Sequence, residues 1–141
     1  SKNELEQLLN IAENQDFDAI KDSAFFGDKE RTNKLLSDTI ISQDKSMFYL
    51  NNFNARLYKL MEIYKLNTSV EKAIELLKPP VFWKDKPNII EQAKKWNPNK
   101  VQVLLKKTFE MELSIKRTSF INSNTLIKKL IIDTCELANV S

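Results

Sequence analysis

The sequence predicts an all-α fold, a compact array of about seven helices, and three observations lead to that expectation. The chain has 141 residues, of which 42% are hydrophobic and 29% charged, which is typical of one globular domain. It contains a single glycine, Gly27, which excludes Gly-rich phosphate loops and most tight hairpins. Apolar residues recur at spacings of three and four, and no alternating apolar and polar run predicts a strand.

The first 41 residues predict three helices. A short helix ends near the polar run at residues 13–16, Asp16 caps a second helix, and Gly27 ends that helix in a left-handed turn. Asp28 then caps a third helix that runs through Ile41. The side chains expected to face inward are Leu5, Leu8, Leu9 and Ala12 in the first helix, Phe17, Ile20, Ala24 and Phe25 in the second, and Leu35, Leu36, Ile40 and Ile41 in the third.

The strongest helical pattern lies between about residues 46 and 64. Its apolar stripe consists of Tyr49, Leu50, Phe53, Leu57, Leu60, Met61 and Tyr64, and we interpret its aromatic rings as core rather than as a base-stacking platform. Thr68 or Ser69 caps a shorter helix over residues 70–77, and the tandem prolines Pro79 and Pro80 end it.

Three helices are predicted in the remainder of the chain. Pro87 lies in the first turn of a helix that reaches Trp96, and Asn97 caps the next helix, which runs to about residue 118. That helix carries a wide apolar stripe, so we expect it to be buried on two sides; the stripe comprises Val101, Leu104, Leu105, Thr108, Phe109, Met111, Leu113 and Ile115. After a loop at residues 119–123, Asn124 caps a last helix whose inward residues are Ile127, Leu130, Ile131, Thr134 and Ala138.

Charge is distributed unevenly along the chain. Residues 1–45 carry six Lys/Arg and ten Asp/Glu, whereas residues 46–141 carry sixteen and nine, so the two parts have net charges of −4 and +7. A basic half can attract nucleic acid through its phosphates. Three pairs of adjacent lysines are candidates for a basic patch if they share one surface: Lys94 with Lys95, Lys106 with Lys107, and Lys128 with Lys129. Such pairs more often lie on helix faces that are simply exposed to solvent.

The sequence offers little for catalysis, metal binding or cofactor binding. It has no histidine and one cysteine, Cys135, which we expect to be a free buried thiol. Nucleotide-binding, metalloprotease, redox and nucleophile-elbow motifs are absent, so no catalytic, cofactor-binding or metal-binding residue is predicted. No run approaches the roughly 18 apolar residues of a membrane span, and the first residues do not resemble a signal peptide. Because its single cysteine cannot form an internal disulfide, the chain is predicted to be cytoplasmic.

One segment, residues 76–87 with the sequence LLKPPVFWKDKP, is not explained by helical periodicity. Pro79 and Pro80 stiffen it, and Phe82 and Trp83 present large apolar side chains outside the helical pattern. The segment is either a rigid corner that fills the domain's own core or a docking surface for a partner. Physical reasoning from the sequence favours the core corner and leaves the interface open.

At this segment the chain resembles the C-terminal region of the delta subunit of bacterial DNA polymerase III, especially its alphaproteobacterial form. The resemblance covers residue 13 to the end. It rests most on KPPVFWK at residues 78–84. The other similar positions are Phe17 and Asp18, FFGD at residues 25–28, the helix from Phe53 to Leu60 with Arg56, Lys95 and Trp96, and Thr108, Glu112 and Lys116.

The resemblance implies a clamp-loader collar domain that helps hold together the machine that opens and loads the sliding clamp. Residues 13–141 would be the collar and residues 1–12 the tail of a preceding lid domain, an expectation that fits a chain starting without methionine. The implied partners are the other clamp-loader subunits, of delta-prime and gamma/tau type, whereas the clamp would be touched only by N-terminal domains outside this sequence.

This fragment would have no catalysis of its own. The parent protein would be classed with DNA-directed DNA polymerase, a nucleotidyltransferase, as a holoenzyme subunit. The alternative function is a lysine-rich helical module that binds nucleic acid. An enzyme in its own right is the least favoured class.

Overall fold

The computed structural model describes residues 1–117 and 122–140, except for the side chains of residues 10, 12, 13 and 15. The described residues form seven α-helices and no strand, which confirms the predicted all-α class. The helices are α1 Lys2–Phe26, α2 Lys29–Asp38, α3 Ser46–Lys65, α4 Val70–Leu76, α5 Lys86–Lys95, α6 Pro98–Arg117 and α7 Ser123–Ala138, and a 3-10 helix at Gln43–Lys45 precedes α3. Most of the loop predicted at 119–123 lies outside the described residues, as does the side chain of Ala12.

Helix α1 is one continuous helix, so the prediction of two helices separated near Asp16 is wrong. The Ser1 hydroxyl caps it by accepting a hydrogen bond from the Glu4 amide at 3.2 Å. The polar run at 13–16 contains neither glycine nor proline, and extending a helix costs less than nucleating a new one. Asp16 therefore lies within α1, and Leu5, Leu8 and Leu9 are exposed rather than inward-facing.

Gly27 ends α1 in the left-handed conformation, as predicted, with φ 75° and ψ 22°. Its amide donates to the Ala24 carbonyl at 3.0 Å, and the Asp28 amide donates to the Ser23 carbonyl at 3.1 Å. A Cβ at residue 27 would lie 2.7 Å from Oδ1 of Asn139, whose Nδ2 donates to the Gly27 carbonyl at 2.8 Å. The left-handed turn therefore favours glycine, and a larger residue would also displace the Asn139 side chain.

Helix α2 is capped by Asp28, as predicted, but it ends at Asp38 and not at Ile41. Thr39 is extended, with φ −117° and ψ 135°, because three consecutive β-branched residues disfavour helix. Successive side chains of extended backbone point in opposite directions. Ile41 is thus buried while Ile40 is 89% exposed, and the prediction that Ile40 faces inward is wrong.

Helix α3 forms the centre of the core and packs on α4, α5, α6 and α7. The predicted stripe is buried or half-buried along its length, and Phe53 packs against Phe17 and Phe25 of α1 with ring centroids 5.8 and 5.4 Å apart. The Tyr64 hydroxyl donates to the Ala93 carbonyl at 2.8 Å, and burial raises the pKa of Tyr64. The aromatic rings of this stripe are core, as predicted.

Besides Asp28, two more of the predicted N-caps are formed by side chains. The Ser69 hydroxyl accepts a hydrogen bond from the Lys72 amide at 3.2 Å, which identifies the cap of α4. Asn97 Oδ1 accepts from the Lys100 amide at 2.9 Å and caps α6. These short-range bonds satisfy amides that have no partner within the helix.

Helix α6 is buried on one side only, so the prediction of two buried sides is wrong. Val101, Leu104 and Thr108 are fully buried where α6 packs on α3 and α7. Phe109 is 59% exposed, because no described helix lies over the second side of the predicted stripe. A wide apolar stripe therefore predicts too much burial when too few helices pack on it to cover its full width.

Helix α7 begins at Ser123, and the predicted cap Asn124 lies inside it. The N-cap is Asn122, so the helix begins two residues earlier than predicted, and the Ser46 hydroxyl at the start of α3 donates to the Ser123 hydroxyl at 2.7 Å. The residues predicted to face inward are all buried, and Cys135 is a free, buried thiol, as predicted.

The two tryptophans provide a matched test of this packing. Trp96 is 3% exposed and its indole N–H donates to the Phe25 carbonyl at 2.8 Å, whereas Trp83 is 67% exposed. We expect Trp96→Ala to lower the free energy of unfolding by about 3–5 kcal/mol and Trp83→Ala by about 0.5 kcal/mol or less. Urea unfolding followed by circular dichroism measures both, and similar losses for the two variants would contradict the structure.

Candidate functional site

The segment between α4 and α5 forms a non-helical corner, residues 77–85, which hereafter is called the corner. Leu77 and Val81 are its buried anchors, each 5% exposed, and they belong to the main hydrophobic core. The peptide bond between Lys78 and Pro79 is cis. The Asp85 amide donates to the Phe82 carbonyl at 2.9 Å, which closes a turn directly before α5.

The aromatic side chains of the corner point away from the core. Phe82 is 57% and Trp83 67% exposed, and their ring centroids lie 6.0 Å apart with the planes inclined by 53°. Lys84 Nζ lies 5.4 Å from the centroid of the Trp83 ring, within cation–π distance. Pro79 and Pro80 are also exposed. The interpretation that Phe82 and Trp83 fill the domain's own core is therefore wrong, because Leu77 and Val81 do so instead.

A cavity of about 190 Å³ lies beside the corner and is lined by side chains from α1, α3, α5 and the corner itself. Three of the lining residues are cations, Lys21, Arg56 and Lys59, and one is an acid, Asp85. The remaining lining residues are Ala55, Pro80, Val81, Phe82 and Ile89. The lining thus carries more positive than negative charge and adjoins the exposed Phe82 ring.

A buried polar network holds the back of this cavity. Arg56 Nη1 donates to Asp22 Oδ1 and to Gln92 Oε1, both at 2.6 Å. Gln92 Nε2 donates to Asp22 Oδ1 at 3.0 Å, and Asn88 Nδ2 donates to Asp22 Oδ2 at 3.3 Å. The network joins α1, α3 and α5, and its charge-assisted bonds fix the orientation of the Arg56 side chain.

The pKa of Asp22 reflects two opposing effects. Burial of the carboxylate raises the pKa, but the Arg56 charge and the hydrogen bonds from Gln92 and Arg56 outweigh burial and lower it below the ordinary value of 3.8. The carboxylate therefore stays ionised at neutral pH and supplies the negative charge that Arg56 needs in the interior.

Acidic side chains lie next to members of the predicted lysine patch. Lys94 forms an ion pair with Glu71, and Lys107 Nζ lies 3.8 Å from Asp133 Oδ2. Lys129 lines the groove between α6 and α7 together with Glu110 and Asp133, and Lys95 donates to Asn139 Oδ1 at 3.5 Å. Lys106 and Lys128 are exposed. The acids reduce the local positive charge that the predicted patch would offer to phosphates.

The described residues contain no group of three or more His, Cys, Asp or Glu side chains arranged to hold a metal ion. Within the same part of the chain, no helix combines the length and the apolar character needed to cross a bilayer.

Comparison with known proteins gives no relative. No protein-family profile matches the chain, and no curated protein and no solved structure matches it.

Sequence reasoning missed most of the residues that form the cavity and its network. Arg56 was part of the family resemblance, but Lys21, Asp22, Lys59 and Gln92 carried no recognisable motif. The available signal was weak: Lys21 and Asp22 lie next to the apolar residues of α1, and Gln92 interrupts an otherwise apolar face of α5 beside Ile89 and Ala93. Their convergence depends on packing between segments 34 to 70 residues apart.

The lowered pKa of Asp22 predicts a loss of stability in acid. Because the folded-state pKa lies below the unfolded value of 3.8, the stabilisation is present above about pH 4 and is lost as the pH falls through the folded-state pKa. We expect Asp22→Asn to lower the free energy of unfolding by about 2 kcal/mol at neutral pH. The difference from the wild type should shrink below about pH 4. Urea unfolding across this pH range measures it, and a difference that is constant from neutral to acid pH would refute the predicted linkage.

Proposed function

We propose that this chain is a structural assembly module of a DNA-replication machine, the C-terminal collar domain of the delta subunit of a DNA polymerase III clamp loader. In this role the domain has no catalysis of its own and contributes to an assembly that opens and loads the sliding clamp. Its partners are the delta-prime and gamma/tau type subunits, and its place is the cytoplasm. The resemblance centred on residues 78–84 and the all-helical architecture support this proposal.

The observation that carries the assembly role is an exposed apolar stripe at the start of α1, formed by Leu5, Leu8, Leu9 and Ile11. The resemblance implies that residues 1–12 are the tail of the lid domain, but α1 runs without a break from these residues into the core, so we propose that the stripe belongs to the assembly module. The side chains of the stripe are 53–64% exposed, although all four are large and apolar. Single exposed leucines are ordinary on protein surfaces, but Leu5, Leu8 and Leu9 are spaced three and four residues apart and share one face of α1. Such a group is of the kind found at protein–protein contacts.

The stripe stands on a rigid support. The same helix continues without interruption to Phe17, Ile20 and Phe25, which are almost completely buried in the core. A partner that packs on the stripe is therefore held at a fixed orientation to the domain. Such a continuous helix suits a module that positions neighbouring units rather than one that moves relative to them.

The nucleic-acid alternative based on the lysine pairs is less well supported. It requires a surface with a strong positive potential, and Glu71, Glu110 and Asp133 lie next to three of the six lysines. Partly neutralised lysines contribute less to phosphate binding. We therefore favour the assembly role for this domain.

Co-elution from a size-exclusion column tests the assembly role. When the 141-residue chain is mixed with purified delta-prime and gamma/tau type subunits of the same organism, we expect it to elute in their complex. The double variant Leu8→Asp with Leu9→Asp should lose co-elution, because it places two charges in the stripe without touching the core. The matched control is Leu76→Asp, since Leu76 is 62% exposed but lies at the end of α4.

Two outcomes would refute the assembly role. In one, the wild-type chain fails to co-elute under conditions in which the full-length delta subunit does. In the other, the stripe variant co-elutes as well as the Leu76→Asp control. Circular dichroism of each variant confirms that a lost interaction does not come from unfolding.

A further inference from the structure

We propose that an acidic cavity beside the end of α2 is a docking site for an extended, basic segment of a partner protein, with a lysine or arginine side chain of that segment in the cavity. The acidic cavity has a volume of about 230 Å³ and is lined by residues of α1, α2 and α3 and by those that follow α2. The proposal goes beyond the assembly role and does not rest on it, because it concerns a different surface and a different kind of contact.

The lining of the acidic cavity combines two carboxylates with apolar groups. Asp16 of α1 and Asp38, the last residue of α2, supply the carboxylates. Neither carboxylate forms an ion pair or a side-chain hydrogen bond within the described part of the chain. The remaining lining residues are Phe17, Thr39, Ile40, Ile41 and Tyr49. A side chain with an apolar stem and a positively charged end, as in lysine and arginine, matches such a lining.

The end of α2 adds to the negative potential of the acidic cavity. Asp38 lies where the last carbonyls of the helix have no partner within it, and the last turn contains no basic residue. Lys34 lies one turn earlier, but it forms no ion pair with Asp38. A carboxylate at this end of a helix is unfavourable unless a cation is close to it. The net charge of −4 over residues 1–45 also favours the approach of a basic partner.

The residues after α2 offer a surface for the main chain of the partner segment. Thr39 and Ser42 are extended, with φ and ψ of −117° and 135° and of −77° and 130°. Between them, Ile40 and Ile41 form no main-chain hydrogen bond to another described residue. Extended backbone with free N–H and C=O groups can pair with an added strand. The Ile40 side chain is 89% exposed beside the cavity, where an apolar side chain of the segment would cover it.

The lining favours a peptide segment over a free polyamine, which shares the charge and the apolar stem of a lysine side chain. Tyr49 is 3% exposed, and its hydroxyl accepts a hydrogen bond from the Ser42 amide at 3.3 Å. The same hydroxyl donates to no described residue, which leaves one donor for a peptide carbonyl. A polyamine has neither a carbonyl group for Tyr49 nor an apolar side chain for Ile40.

The test is a calorimetric titration of the 141-residue chain at low salt with an acetylated ten-residue peptide of alternating valine and lysine. We expect saturable binding that weakens as salt is added. In ¹H–¹⁵N NMR spectra, the amide signals of residues 38–41 should shift most. The double variant Asp16→Asn with Asp38→Asn should weaken binding about tenfold, because it removes both carboxylates. Ile40→Ala should weaken binding about threefold.

Matched controls remove similar groups elsewhere on the surface. Glu62→Gln with Glu110→Gln removes two exposed carboxylates from α3 and α6, so the net charge changes by the same amount as in the cavity variant. Val103→Ala shortens an apolar side chain that is 47% exposed on α6. Both controls should bind the peptide within about twofold of the wild type. The titration is repeated with spermidine and with a peptide that has glutamate in place of lysine.

Several results would overturn the proposal. These are the absence of saturable peptide binding, equal weakening by the cavity variants and the controls, NMR shifts confined to other surfaces, spermidine binding as tight as that of the peptide, and equal binding of the glutamate peptide. A dimer of the chain that the peptide dissociates would show that a second copy occupies the cavity. Circular dichroism confirms that each variant is folded. The assembly role is judged separately by co-elution, so failure of one proposal leaves the other standing.

Discussion

Arg56 is a charged side chain placed where three helices meet, and the position of those helices depends on keeping it paired. An unpaired guanidinium in the interior would cost several kcal/mol, so α1 and α5 cannot move relative to α3 without separating Arg56 from Asp22 or Gln92. The apolar contacts around this network are less directional and tolerate small shifts. Two hydrogen bonds at 2.6 Å therefore define the register of α1 and α5 against α3, which hydrophobic burial alone would not define.

The position of the corner depends on this register of the helices. Helix α5 begins directly after the corner, so the hydrogen bond between Gln92 and Arg56 also holds the start of α5 in place. The buried side chains of Leu77 and Val81 attach the corner itself to the core. Phe82 and Trp83 follow Val81 without a helical repeat that would turn them inward. Their exposure is thus a consequence of a rigid backbone with two buried anchors. Rings held in this way need little rearrangement to meet a ligand.

Local signals predicted much of the fold, whereas signals that depend on packing did not. The turn at Gly27 and the cap formed by Asn97 are determined within a few residues, so the sequence was sufficient to place them. Three predictions were wrong: the break near Asp16, the inward position of Ile40 and the core position of Trp83. Polarity and hydrophobicity show which environment a residue prefers, but the packing of the other helices decides which environment it has. The cavity could not be predicted, since its cations come from segments that only the tertiary fold brings together.

Helix α1 connects the exposed stripe to the core. Leu8 of the stripe and Lys21 beside the corner belong to the same uninterrupted helix, which places them about 20 Å apart along its axis at 1.5 Å per residue. Because the core anchors the helix at Phe17, Ile20 and Phe25, a partner packed on the stripe would have a fixed orientation relative to the corner. A break at residues 13–16 would have removed this fixed orientation, so the proposed assembly role depends on the continuity of α1.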